Sequence, residues 1–196
     1  MGRVLLARPR FDTVSEVWEE IQRREGSLSL GQVSKVLSAL EDDLIVRRGD
    51  DGVRLVQPER LLDSLENGYR GPDVVQEVDL RANLDSDFFA ELVKRARAAK
   101  VRIAGYAPAR YVIAPEPGER LIVYVEPRGL SAVGNVSGAE PSRRFANLTI
   151  RAIKEPLVFF DTEEEGGFRW CSRLETYLQL MQGGKWEREI ASPLRE

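Results

Sequence analysis

Gln32, Ser34, Lys35 and Ser38 lie between Val33, Val36, Leu37, Leu40 and Leu44, apolar residues spaced three or four apart. A helix with that spacing buries the apolar set and leaves the four polar side chains largely outside it. An amide, two hydroxyls and an ammonium are groups that reach base edges and phosphates when a helix enters the major groove. Arg47, Arg48 and Arg54 follow in a β-prone segment, where guanidinium groups can meet phosphate oxygens. These seven residues are the candidate DNA contacts: the helical four for base edges and phosphates, the arginines for phosphates.

Other chemistry is restricted by what the sequence lacks. It contains no histidine, so histidine-dependent triads and histidine-ligated zinc sites are excluded. The single cysteine, Cys171, has no partner within the chain and no histidine to activate it, and reads as a packed thiol. Glu163, Glu164 and Glu165 read as a solvated hairpin tip rather than a metal site. Gly105-Tyr106, read as a turn after a buried strand, followed by a short helix and Leu121 to Glu126, resembles the start of a nucleotidyltransferase fold. An active enzyme of that kind needs a serine after the glycine and alternate carboxylates on the next strand to hold metal. Tyr106, Val123 and Val125 occupy those places, and Glu126 stands only at the strand's end. Arg110, the first basic side chain after the glycine, reads as a surface charge. The expectation is no catalytic residue, no metal and no cofactor.

The elements that must position the DNA candidates are legible as local patterns. Val14, Val17, Trp18 and Ile21 predict a helix over about 13–24, ending near Gly26. Ser29 and Gln32 have capping-box spacing at the start of the next helix. Residues 45–56, turning at 49–52, predict a β-hairpin with Val46, Val53 and Leu55 inward and Arg47 and Arg54 outward. A short helix follows Pro58. Asn67 to Asp73, with two glycines and a proline, marks a boundary between domains 1–70 and 71–196. Beyond it, strands are expected at 74–80, 101–104, 121–125, 147–153, 157–160 and 168–171, with helices at 86–98, 174–181 and 186–191. Gly183 and Gly184 are read as helix stops. The fold class is therefore α/β (α+β), an N-terminal winged helix-turn-helix followed by a mixed α/β domain resembling a degenerate nucleotidyltransferase fold.

The chain has 196 residues, 42% hydrophobic and 31% charged, with a formal charge of -3. That composition excludes disordered and collagenous classes, and DNA binding must come from placement of charge rather than its sum. No apolar run approaches the roughly 18 to 20 residues of a membrane helix, and the apolar run near Met1 is too short for a signal peptide. The protein is expected to be cytoplasmic.

Several segments together resemble the AbiEi-like antitoxin family of type IV toxin-antitoxin systems. They include Ser29-Leu-Gly-Gln-Val-Ser-Lys-Val-Leu37, Leu44-Ile-Val46, Gly52-Val-Arg-Leu55 and Tyr69-Arg70 in the first domain. In the second they include Ile103-Ala-Gly-Tyr106, Ile122-Val-Tyr-Val-Glu126, Val158-Phe-Phe-Asp161 and Glu175-Thr-Tyr-Leu-Gln-Leu180. The resemblance implies a repressor of its own operon, bound to double-stranded operator DNA, compatible with a homodimer, and linked functionally to a nucleotidyltransferase-type toxin. Two departures from the family are a first helix shortened to about 3–8 and a lengthened connection at 23–28. A protein-binding adaptor built on the same two domains is the alternative.

Overall fold

The glycines and proline between Asn67 and Asp73 coincide with the point at which the chain divides into two units, Met1–Arg70 and Gly71–Glu196. The computed structural model describes residues 1–112 and 120–195. Gly71 sits at φ +72°, a conformation glycine adopts without steric cost. Both units mix helices and strands, and no helix among the described residues is long and apolar enough to cross a membrane.

The first unit runs α1 (Gly2–Ala7), β1 (Arg10–Phe11), α2 (Val14–Arg23), α3 (Leu30–Asp42), β2 (Val46–Gly49), β3 (Gly52–Leu55) and α4 (Pro58–Gly68). Thr13 starts α2 by accepting the Glu16 amide at 3.1 Å, and Val17 and Ile21 are buried on its inner face. Ser29 and Gln32 complete the capping box of α3 in both directions. Phe11, Val33, Leu37, Val46 and Val53 are all almost wholly buried, each contributing roughly 1.5–3 kcal/mol by leaving water. The hairpin forms in the expected register, with Val46 opposite Leu55 and Gly49 opposite Gly52. It also acquires a third strand, because β1 pairs antiparallel with β3 and gives the order β1-β3-β2.

Two residues expected on the apolar stripe of α3 lie elsewhere: Val36 is 39% exposed and Leu44 is 66% exposed. The buried face of α3 is narrow, centred on Val33 and Leu37, and Leu44 lies past the last helical residue, where helical periodicity no longer sets its direction. Leu44 occupies the left-handed region at φ 60°, while Ile45 N–H reaches the Leu40 carbonyl at 2.8 Å and Leu44 N–H reaches that of Glu41 at 2.9 Å. This is the helix-ending pattern that normally uses glycine. Leu44→Gly is expected to raise the unfolding free energy by about 1 kcal/mol, since it removes a left-handed strain and little burial. Urea denaturation checks this, and an unchanged or lower midpoint refutes it.

The second unit contains β4 (Val74–Ala82), α5 (Ser86–Ala99), β5 (Ile103–Tyr106), β6 (Leu121–Val125), α6 (Leu130–Gly134), β7 (Ala139–Pro141), β8 (Leu148–Ile153), β9 (Glu163–Glu165), β10 (Phe168–Trp170), α7 (Arg173–Met181) and α8 (Lys185–Ala191). One seven-stranded mixed sheet has the order β7-β4-β8-β6-β5-β10-β9. On one face Phe88, Leu92 and Ala96 of α5 and Leu130 and Val133 of α6 cover Val123, Val125, Leu148 and Ile150. On the other, Val158, Phe159 and Cys171 pack with Ala104, Tyr106 and Tyr124.

Three expectations are corrected here. Gly105 and Tyr106 are not a turn but the end of β5, both buried, because the apolar run continues and Gly105 allows close approach: a Cβ there would lie 2.6 Å from Phe168 and 2.7 Å from Trp170. Residues 156–159 form a 3-10 helix instead of a strand, begun by Pro156, whose missing N–H suits a helix start. Glu163–Glu165 form an edge strand paired with β10, not a turn. Gly183 and Gly184 do lie between α7 and α8 as expected, and Gly183 also permits the close approach of Glu187, since a Cβ there would sit 2.8 Å from that side chain.

Candidate nucleic-acid interface

The connection before α3 is held by side chains of α2. Trp18 Nε1 and Gln22 Nε2 both donate to the Leu28 carbonyl, at 3.0 and 2.9 Å, and this pins the segment that delivers Ser29 to its capping position. Glu20, buried, binds Arg23 and Arg24. Burial pushes its carboxyl up, but hydrogen bonds and charge from the two arginines outweigh burial and hold it below the ordinary range.

Of the α3 candidates, Ser34 and Lys35 stand exposed, and Lys35 forms no ion pair among the described residues. Gln32 is exposed but committed to the cap, its Oε1 accepting the Ser29 amide at 2.8 Å. A bidentate amide contact to adenine would need that oxygen, so Gln32 has only its NH2 to offer without unmaking the cap. Ser38 is half-buried; its hydroxyl donates to the Ser34 carbonyl at 3.1 Å and accepts from Arg48 at 3.1 Å.

Arg48 departs from its expected place. Its Nε donates to Glu41 Oε2 at 2.8 Å, its terminal nitrogen to the same oxygen at 2.6 Å, and its backbone N–H to Glu41 Oε1 at 3.0 Å. It shares the inward parity of Val46, so the pleat turns it toward α3 and away from solvent. Arg48 is thus a clamp fixing the hairpin to α3, not an open phosphate ligand. The Arg48 side-chain and backbone hydrogen bonds hold the Glu41 carboxyl below its ordinary value of 4.5. Because the folded value is depressed, the clamp stabilises the fold above the ordinary glutamate range and is lost as pH falls through the folded value. Glu41→Gln is expected to flatten, without abolishing, the acid limb of stability against pH, since Glu20, Glu91 and Glu126 are also held low. Urea midpoints measured from pH 7 down to pH 3 check it, and parallel limbs refute it.

Arg47 and Arg54 are exposed and directly opposite one another across β2 and β3, and Arg54 is in turn opposite Arg10 on β1. Three guanidinium groups therefore form a lateral row, Arg10-Arg54-Arg47, none paired with a carboxylate among the described residues. Like charges placed directly opposite on a sheet are destabilising, so this row costs the free protein stability. Arg10 is the functional candidate that sequence reasoning missed. Two residues give no strand periodicity, and only the register of β1 on β3 reveals the neighbour.

In the second unit Tyr106, Val123 and Val125 are buried core residues. Val123 and Val125 are fully buried, and Glu126 is tied to Arg102 and Arg128. Arg110 binds Glu165 at 2.6 Å and lies over the Trp170 ring at 4.4 Å. A polar cleft on the sheet is satisfied internally, with Thr149 donating to Asp79 at 2.7 Å, Arg120 pairing with Asp79 and Arg151 with Glu77. No group of three or more acidic or cysteine side chains among the described residues could hold a metal ion.

No protein-family model, no curated protein and no solved structure matches this chain.

Proposed function

We propose that the first unit is a winged helix that binds duplex DNA, with α3 in the major groove and the three-stranded sheet on the phosphate backbone. The observation that carries this reading is the row Arg10-Arg54-Arg47. Three exposed and mutually repelling guanidinium groups, without a carboxylate partner among the described residues and arranged across a sheet clamped to α3, match a phosphodiester chain in charge. Lys35 and Ser34 are then the polar groups of α3 free to read bases, and Val36, exposed beside them, offers an apolar contact to a thymine methyl. In keeping with the resemblance of the sequence, the protein acts as a regulator of its own operon and as the antitoxin of a type IV pair. In this reading the second unit serves without catalysis, supported by the apolar, buried Val123 and Val125 at the positions where the sequence resemblance calls for carboxylates.

The test is binding to the DNA upstream of the gene against a scrambled duplex. Lys35→Ala is expected to weaken the specific complex by roughly 1–3 kcal/mol and the scrambled one much less. Equal binding of both duplexes by wild type refutes a sequence-reading helix. A protein-binding adaptor is the second reading, favoured by the exposed Leu30, Val36 and Leu44 in and just after α3. An adaptor shows no steep fall of DNA affinity with salt.

A further inference from the structure

The loop between β7 and β8 carries Arg143, Arg144 and Phe145 at its tip, beside Arg81 of β4. Phe145 is 61% exposed, and the guanidinium carbons of Arg144 and Arg81 lie 5.3 and 6.0 Å from its ring centroid. Both arginines and Arg143 are exposed, and none pairs with a carboxylate among the described residues. Glu140, opposite Arg81 in the β4-β7 register, forms no ion pair with it. A single exposed aromatic residue is ordinary on a protein surface. An exposed ring with two guanidinium groups within about 6 Å and a third arginine on the same loop, none ion-paired among the described residues, is a different surface on a chain of net charge -3.

The loop is also held at both ends. Ser142 N–H donates to the Asp79 carbonyl at 3.0 Å, and Asn147 N–H to that of Leu80 at 3.1 Å. The Asn147 amide brackets Ala82, accepting its N–H at 2.9 Å and donating to its carbonyl at 2.8 Å. Ser142 Oγ accepts the Phe145 amide at 3.2 Å and fixes the turn itself. The tip is therefore preorganised, and little ordering entropy is lost when a ligand meets it.

We propose that this loop is a second nucleic-acid site, for a single strand, in which an unpaired base stacks on Phe145 while Arg81, Arg143 and Arg144 hold the adjoining phosphates. Stacking needs a base whose face is open, which a single strand presents and a closed duplex does not, and guanidinium groups beside the ring add cation–π and phosphate contacts to the same strand. The site uses no residue of the duplex interface, so either can fail without the other.

The experiment compares, by fluorescence anisotropy on the full chain, oligothymidylate of about 12 nucleotides with an abasic strand of equal length, which keeps the phosphates and lacks the bases. Wild type is expected to prefer the thymidylate by about five- to a hundredfold. Phe145→Ala and Phe145→Leu should lose that preference, Phe145→Tyr should keep it, and none should alter duplex binding. Arg143→Gln with Arg144→Gln should lower the slope of log affinity against log salt by about 1.4, two phosphates at about 0.7 each. No preference in wild type overturns the proposal, as does a preference that survives Phe145→Ala. Binding to phosphatidylserine vesicles that requires Phe145, without strand binding, also overturns it and makes the loop a membrane contact.

Discussion

Replacing Arg10, Arg47 and Arg54 together by glutamine is expected to lower affinity for every duplex by about a hundredfold at low salt, at roughly 1 kcal/mol per lost phosphate contact. Specific and scrambled sequences should lose about equally, because phosphates carry no base information. The slope of log affinity against log salt should fall by about 2.7, close to 0.9 for each phosphate released. The same triple variant should unfold at an equal or higher urea concentration. Its two lateral pairs, Arg10 with Arg54 and Arg54 with Arg47, oppose like charges in the free protein, and each such pair costs roughly 0.2–1 kcal/mol. Lost binding together with retained or improved stability cannot be ascribed to misfolding. If binding and salt slope stay at wild-type values, the arginine row is not a phosphate track and the adaptor reading replaces it.

Gly52→Ala is expected to destabilise the first unit by about 2–4 kcal/mol. Gly52 sits at φ +87°, where a side chain is strained, and a Cβ there would collide with the Phe11 carbonyl and approach Asp12 Cα to 2.8 Å. The obstructing atoms are backbone of the strand that carries Arg10, so relief requires moving β1 away from β3. DNA affinity should therefore drop in the variant even where it remains folded, since Arg10 leaves the row. Gly49→Ala is the control: a Cβ added there would meet nothing within 4 Å, and its φ is ordinary. Equal urea midpoints for the two variants would show that β1 is not packed against the hairpin as described.

The sequence alone determined the elements whose stabilising contacts are local. The Ser29-Gln32 capping box, the 3.6-residue spacing of Val14, Val17 and Ile21, and the alternation of Val46 and Arg47 all act within a few residues. Such patterns are readable because neighbours in sequence remain neighbours in space. The alternation that places Val46 in the core also turns Arg48 inward, a signal that its assignment to phosphate passed over, and its partner Glu41 was not legible at all, since a helix and a strand must first pack to bring them together. The 3-10 turn at Pro156 and the strand ending in Gly105-Tyr106 were ambiguous because short apolar runs suit several backbones when burial alone selects them.

Tertiary structure decided the charge pattern. Arg10, Arg54 and Arg47 come from three separate strands, and Arg81 and Phe145 from a strand and a distant loop. Hairpin alternation sets Arg47 and Arg54 outward together, but nothing in the spacing adds Arg10 to them or brings Arg81 to Phe145. Strand register brings them together, and register is set by which apolar side chains fill the core, a property of the whole unit rather than of any segment. The sequence therefore carried the helix and the hairpin, while the juxtaposition of like charges on which the proposed duplex binding rests arises only when burial of Phe11, Val53 and Leu55 forces the strands side by side.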